Sequence, residues 1–187
     1  MNRLFAVDFR ARPMIPFEAG FQMISPEDID TLRSIAEAGD NYVEIKKLLT
    51  ATGWEITEDD RDLGYLRVFI PDASDDCYRL IIGYRDPQHP PHSLVTFSIF
   101  TGSEEHIPAF NSAFHSAAEA ITRCLGAPTA AGEHRLSFRA WPYAYRRWSL
   151  PEGEFTLLQG EFDIQEGLDV TLWLQPVGTP IEKTLHL

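Results

Sequence analysis

The chain has 187 residues, of which 44% are hydrophobic and 12% are aromatic. These values suit a single globular domain over residues 1–187 and exclude a disordered chain. The 28 acidic residues outnumber the 16 basic ones, giving a net charge of −12. Such a charge opposes binding to nucleic acid or to an anionic membrane and favours a basic protein partner, although it can equally serve solubility alone.

The N-terminal part of the sequence predicts an arm followed by two helices. Residues 1–24 mix short apolar runs with prolines, which is typical of an arm. No stretch resembles a signal peptide or a membrane span, so we expect a cytoplasmic protein. Ser25-Pro26-Glu27-Asp28 predicts a helix start, because serine can cap and proline fits the first helical position. Asp40 is the predicted cap of a second helix, which Gly53 ends.

From Trp54 onwards the apolar pattern predicts mainly strands. Its period changes from 3.6 to 2, with turn residues between the runs. The predicted strands are 65–70, 77–84 and 94–100, with 54–57 as a possible addition, then 135–149 with a break at Pro142, 154–159 and 168–174. A helix is predicted over 108–125, and Pro176 and Pro180 should end regular structure. This order predicts an α+β fold, with a mainly antiparallel twisted sheet on which two N-terminal helices and one long central helix pack.

The sequence carries no recognisable catalytic or metal-binding motif. Its histidines and cysteines lack the spacing of metal ligands, so we expect no metal and no cofactor. Neither a nucleophile elbow nor a phosphate-binding loop occurs, which predicts a protein without catalytic residues. Cys77 and Cys124 are interpreted as free thiols, while a disulfide between them stays open. We expect Cys124 to pack in the core and His115 to lie on the surface.

Residues 135–150, RLSFRAWPYAYRRWSL, combine four arginines with five aromatic residues. Period-two alternation places Tyr143, Tyr145 and Arg147 on one face of a strand. Pairing with acids on neighbouring strands is the favoured interpretation, ahead of contact with a protein or ligand and of base stacking. The acids considered for this pairing are Glu154, Glu161 and Asp169.

A resemblance to known families covers about residues 40–176. The run AFHSAAEAITRCLGAPTAAGE (113–133) is followed by RRWSLP, GEFTLLQG and LDVTLWLQP. This succession resembles uncharacterised actinobacterial domain families of the polymorphic-toxin immunity-protein type. The resemblance implies a non-enzymatic protein that neutralises a toxin, and it brings no catalytic residues with it.

The leading hypothesis is therefore an immunity or inhibitor protein, as a monomer or homodimer, that binds a basic toxin or effector through an acidic surface. The expected contact residues are loop acids and exposed aromatic or basic residues. They are Asp59, Asp60 and Asp62 in one loop, Asp72, Asp75 and Asp76 in another, Glu104 and Glu105 in a third, and Trp173, Tyr145 and Arg147. Trp173 is expected to be exposed, opposite the apolar face of its strand. The alternatives are a secretion chaperone or adaptor, and a small-ligand-binding or enzymatic domain with a pocket between sheet and helices.

Overall fold

The structure is a computed structural model. It describes the following residues: 20–21, 23–39, 41–60, 65–69, 80–83, 95–102, 104–135, 142–163 and 167–185.

The described elements are nine strands, three longer helices and one short helix. In chain order they are β1 (Gly20–Phe21), α1 (Pro26–Ala38), α2 (Tyr42–Thr52), β2 (Glu55–Asp60), β3 (Tyr65–Phe69), β4 (Leu80–Gly83), β5 (Val95–Gly102), α3 (Ile107–Leu125), β6 (Ala130–His134), β7 (Tyr143–Leu150), β8 (Gly153–Asp163), β9 (Gly167–Gln175) and α4 (Ile181–Leu185). A single 3-10 turn, Glu104–His106, leads into α3.

The strands form one antiparallel sheet in the order β2-β3-β4-β5-β9-β8-β7-β6, and β1 pairs separately with β5. Strand β9, which follows all the others along the chain, lies between β5 and β8. Helix α3 contacts β5, β8 and β9, and α1 packs against α3 and the same central strands β8 and β9. The predicted α+β class with an antiparallel sheet is confirmed.

Local hydrogen bonds explain where the first two helices begin and end. The Ser25 hydroxyl accepts from the Asp28 N–H at 3.0 Å, and the Asp28 carboxylate accepts from the Ser25 N–H at 2.8 Å, which is a capping box. Helix α2 is capped by Asn41, one residue after the predicted Asp40; its side-chain oxygen accepts from the Glu44 N–H. Gly53 ends α2 with a φ of 75°, in the left-handed conformation that glycine adopts without strain.

The core lies between the helices and the central strands. Helix α1 buries its apolar stripe of Ile29, Leu32 and Ile35. Aromatic rings link α3 to the sheet: Phe110 lies 5.9 Å from Phe100 and 6.3 Å from Tyr143 between ring centroids. Both rings that Phe110 contacts belong to fully buried side chains. This helix and sheet interface confirms the apolar pattern predicted for α1 and α3.

Several details differ from the sequence-based expectations. Cys124 is an exposed free thiol, so the expectation that it packs in the core was wrong, whereas His115 is exposed as expected. Strand β6 was not predicted, because Ala-Ala-Gly-Glu-His has no apolar alternation; it is held by pairing with β7. Helix α4 follows Pro180, where regular structure was expected to end.

No helix in the described part of the chain has the length and apolar character that crossing a membrane requires.

Candidate functional site

The predicted acidic contact residues are spread over different parts of the structure. Asp59 and Asp60 form the end of strand β2 and not a loop, which corrects the expectation. Glu104 and Glu105 lie in the turn before α3, where Glu105 is exposed. The remaining acids lie outside the described residues. These are Asp62, Asp72, Asp75 and Asp76.

Two acids of β2, Glu58 and Asp59, bond to basic and hydroxyl groups of the same chain. The Tyr42 hydroxyl donates to the Asp59 carboxylate, and the Lys46 ammonium group lies 3.3 Å from it. The Lys46 ammonium group also donates to the Tyr42 hydroxyl at 3.1 Å and lies 5.1 Å from the centre of the Tyr42 ring. Its hydrogen bonds to Tyr42 and to Asp59 raise the pKa of Lys46. Glu58 pairs with Arg67 of β3 at 3.0 Å. Strand β2 therefore presents less uncompensated negative charge than its sequence suggests.

Arg147 is a buried structural residue, which corrects its assignment as a partner contact. Only 6% of its surface is exposed, and its Nε lies 3.1 Å from the Glu154 carboxylate. Its Nη2 donates to the Thr179 carbonyl, while Glu154 also accepts from the Gly178 N–H at 2.9 Å. The predicted pairing of arginines with acids on neighbouring strands is thus confirmed here, and it ties the segment after β9 to the sheet.

Tyr145 and Trp173 are half-buried. Tyr145 lies over Gly132 of the neighbouring strand β6, where the missing side chain leaves room for the ring. Trp173 lies on the face opposite Leu172 and Leu174, as alternation predicts. Its indole Nε1 is nevertheless buried and has no hydrogen-bond partner among the described residues, so Trp173 is less exposed than expected.

The outer side of α1 is an acidic surface that the sequence analysis did not select. Glu27, Asp30 and Glu37 are all exposed on it, and we call these three residues the acidic helix face. They lie opposite the buried stripe, because side chains three, four or seven positions apart share one side of a helix. The signal was present in the sequence, since the apolar spacing of α1 left these positions facing outwards.

Helix α1 carries one basic residue, Arg33, beside the acidic helix face, and Arg33 forms an ion pair with the turn between two strands. Its Nε donates to the Glu152 carboxylate in the turn between β7 and β8. This hydrogen bond, with the nearby charges of Asp30 and Glu37, raises the pKa of Arg33. Because Arg33 is committed to Glu152, the outward acids have no described side-chain ion pair of their own.

Asp169 is the described group with the clearest electrostatic perturbation. Burial raises the pKa of its carboxyl to about 6, and the charge of Glu161 adds to this effect, while a hydrogen bond from Thr171 opposes it. The Thr171 hydroxyl donates to Asp169 at 2.6 Å. Gly160, the residue opposite in β8, makes room for the carboxyl, since a Cβ there would lie 3.1 Å from its oxygen.

Among the described residues, no group of three or more histidines, cysteines or acids is placed to hold a metal ion. Comparison of the chain with protein-family models, with curated proteins and with solved structures gives no match. The geometry therefore has to carry the functional interpretation.

Proposed function

We propose that this protein is a non-enzymatic binding module that recognises a basic protein, as an immunity or inhibitor protein does when it neutralises a toxin or effector. The observation that carries the proposal is the acidic helix face, Glu27, Asp30 and Glu37 on α1. We place the module in the cytoplasm, where an exposed free thiol such as Cys124 stays reduced.

The position of α1 makes its charges suitable for docking. The helix packs its apolar stripe against the central strands and α3, so the acids stand on a rigid element at the outside of the molecule. Side chains that stand on a rigid helix lose less conformational freedom when a partner binds. Negative charge steers a basic partner and speeds the encounter.

The test compares two variants with the same change in charge. Glu27→Gln, Asp30→Asn and Glu37→Gln together neutralise the acidic helix face. The matched control, Glu105→Gln, Glu133→Gln and Glu182→Gln, neutralises three exposed acids on other elements. Wild-type protein is used to isolate a partner from the native lysate; the partner is identified and purified, and its affinity for all three proteins is measured by calorimetry.

We expect a basic partner whose affinity falls by about tenfold or more in the α1 variant, as for the loss of several partly exposed charge pairs. The control variant should bind within about threefold of wild type. An acidic partner, or equal losses in both variants, would contradict the proposal.

A second candidate is a peptide-binding adaptor, which the position of β2 favours. This strand stands at one end of the described strand order, so a further strand can pair with it. Val43 of α2 is 62% exposed, close to Tyr42, which bonds to β2. Because strand addition relies on backbone hydrogen bonds, such binding would survive both charge variants and high salt. The same experiment therefore separates the two functions.

A further inference from the structure

The described arginines fall into two groups. Arg33, Arg67 and Arg147 each pair with a glutamate. Arg123, Arg135 and Arg146 form no ion pair within the described part of the chain, and Arg135 does not line the cavity described below. In a chain with 28 acids and 16 bases, an arginine without an acidic partner is unexpected.

Arg123 and Arg146 line the same cavity. It has a volume of about 440 Å³ and lies between α3 and β7. His115, Glu119 and Thr122 of α3 line it as well, together with Pro128. We call this cavity the basic niche. Its size lies within the range of small-molecule sites in proteins.

Arg146 is fixed in the basic niche before any ligand arrives. Its Nη1 donates to the Tyr145 carbonyl at 2.7 Å, and the guanidinium carbon lies 5.6 Å from the centre of the Phe114 ring. Arginine has five N–H donors in a planar fork, so one bond to a carbonyl leaves the others for a ligand. A side chain that is already held loses little freedom when it binds.

The charge balance of the basic niche favours an anion. Two arginines face a single carboxylate, Glu119, which makes no ion pair with either of them. The histidine ring and the Thr122 hydroxyl add hydrogen-bonding groups to the lining. The niche is therefore positive in a protein whose net charge is −12.

We propose that the basic niche binds a small molecule that carries a compact oxyanion, a phosphoryl or carboxylate group, held by Arg123 and Arg146. Guanidinium groups match both oxyanions through paired N–H donors. This site lies on α3 and β7 and is separate from the acidic helix face, so it does not depend on the proposed partner binding.

The experiment measures binding of inorganic phosphate, and separately of citrate, to the full chain by calorimetry at constant ionic strength. The variants are Arg123→Gln and Arg146→Gln, and the control is Arg135→Gln, an exposed arginine outside the cavity. We expect wild type and the control to bind alike, and each niche variant to bind about tenfold or more weakly. A response to citrate without phosphate would assign the site to carboxylates, and the reverse to phosphoryl groups.

Absence of binding to wild type, or unchanged binding in both niche variants, would overturn the proposal. If Arg146→Gln fails to fold because it loses the contact with Phe114, Arg123→Gln still provides the test, since Arg123 is exposed. Arg146→Lys keeps the charge but loses the planar fork, and we expect it to bind more weakly than wild type.

Discussion

The side chain of Asp169 lies in a buried position where its ionised, carboxylate form is unfavourable. The group sits between β5 and β8, opposite Thr101 and Gly160, and burial is the main cause of its raised pKa. A hydroxyl from Thr171 is its described hydrogen-bond donor. The folded protein consequently favours the protonated form of Asp169 more than the unfolded chain does.

We predict that Asp169→Asn becomes more stable relative to wild type as the pH rises. Between the ordinary pKa of 3.8 and the folded value of about 6, the folded protein binds more protons than the unfolded chain. The free energy of unfolding of wild type therefore falls through this range and is lower by roughly 2 to 3 kcal/mol above it. Asparagine does not titrate, so the difference between the two proteins should grow from about pH 4 to pH 6 and then level off.

Urea unfolding at several pH values measures this difference. Asp30→Asn is the matched control, because it makes the same chemical change at an exposed position on α1. A stability difference for Asp169→Asn that stays constant with pH would show that its carboxyl is not perturbed.

Residue roles were predictable from sequence where charge complementarity decided them. The pairing of Arg147 with Glu154 was among the favoured interpretations, because an acid lay within reach on a neighbouring strand. The environment of Cys124 was not predictable from helical spacing. It lines a cavity beside Met23 and Pro26, and nothing in the periodicity of α3 indicates where packing partners are missing.

At the scale of elements, strong local signals led to correct predictions. The start of α1 follows from Ser25 and Asp28, whose side chains form both bonds of the cap. Strand β6 depends instead on tertiary pairing: Gly132 lies opposite Tyr145, and Thr129 bonds to the Arg147 carbonyl just before the strand. Such pairing leaves no pattern in the sequence of the strand itself. The acidic helix face was equally readable from α1, although loop acids were preferred to it.

We predict that Gly153→Ala destabilises the β8–β9 pair more than Gly132→Ala destabilises the β6–β7 pair. A Cβ at Gly153 would lie 2.9 Å from the backbone oxygen of Gln175, which cannot move without shifting β9. We expect a cost of about 1 to 3 kcal/mol in the free energy of unfolding. A Cβ at Gly132 would also meet an atom at 2.9 Å, but that atom is the hydroxyl at the end of the Tyr145 side chain.

Because the Tyr145 ring can turn aside, Gly132→Ala should cost less than about 1 kcal/mol. Urea unfolding of both variants provides the comparison. Equal costs would mean that the Tyr145 ring is held as firmly as the backbone of β9.

At the scale of the whole molecule, the dominant property is the net charge of −12. Exposed acids occur on several described elements, for example Glu37 on α1, Glu55 on β2 and Glu119 on α3. Like charges spread over a compact surface repel one another and lower the stability of the folded state. Salt screens these charges and so weakens the repulsion between them.

We predict that sodium chloride raises the melting temperature. Going from about 20 mM to about 300 mM salt shortens the screening length from roughly 20 Å to roughly 6 Å, so repulsion between distant acids is largely removed. We expect an increase of a few degrees in thermal unfolding followed by circular dichroism. The variant lacking the three charges of the acidic helix face should gain less. A melting temperature that falls with salt would show that attractive pairs dominate the surface.

The central position of β9 has a consequence for synthesis of the protein. One half of the sheet runs from β2 to β5 and the other from β8 to β6, and β9 is the strand that joins them. Translation delivers β9 after both halves, so neither can complete its inner edge while the ribosome is still making the preceding chain. The nascent protein therefore carries the inner edges of β5 and β8 unpaired until residues 167–175 emerge, and exposed strand edges of this kind favour binding to a chaperone or to another chain.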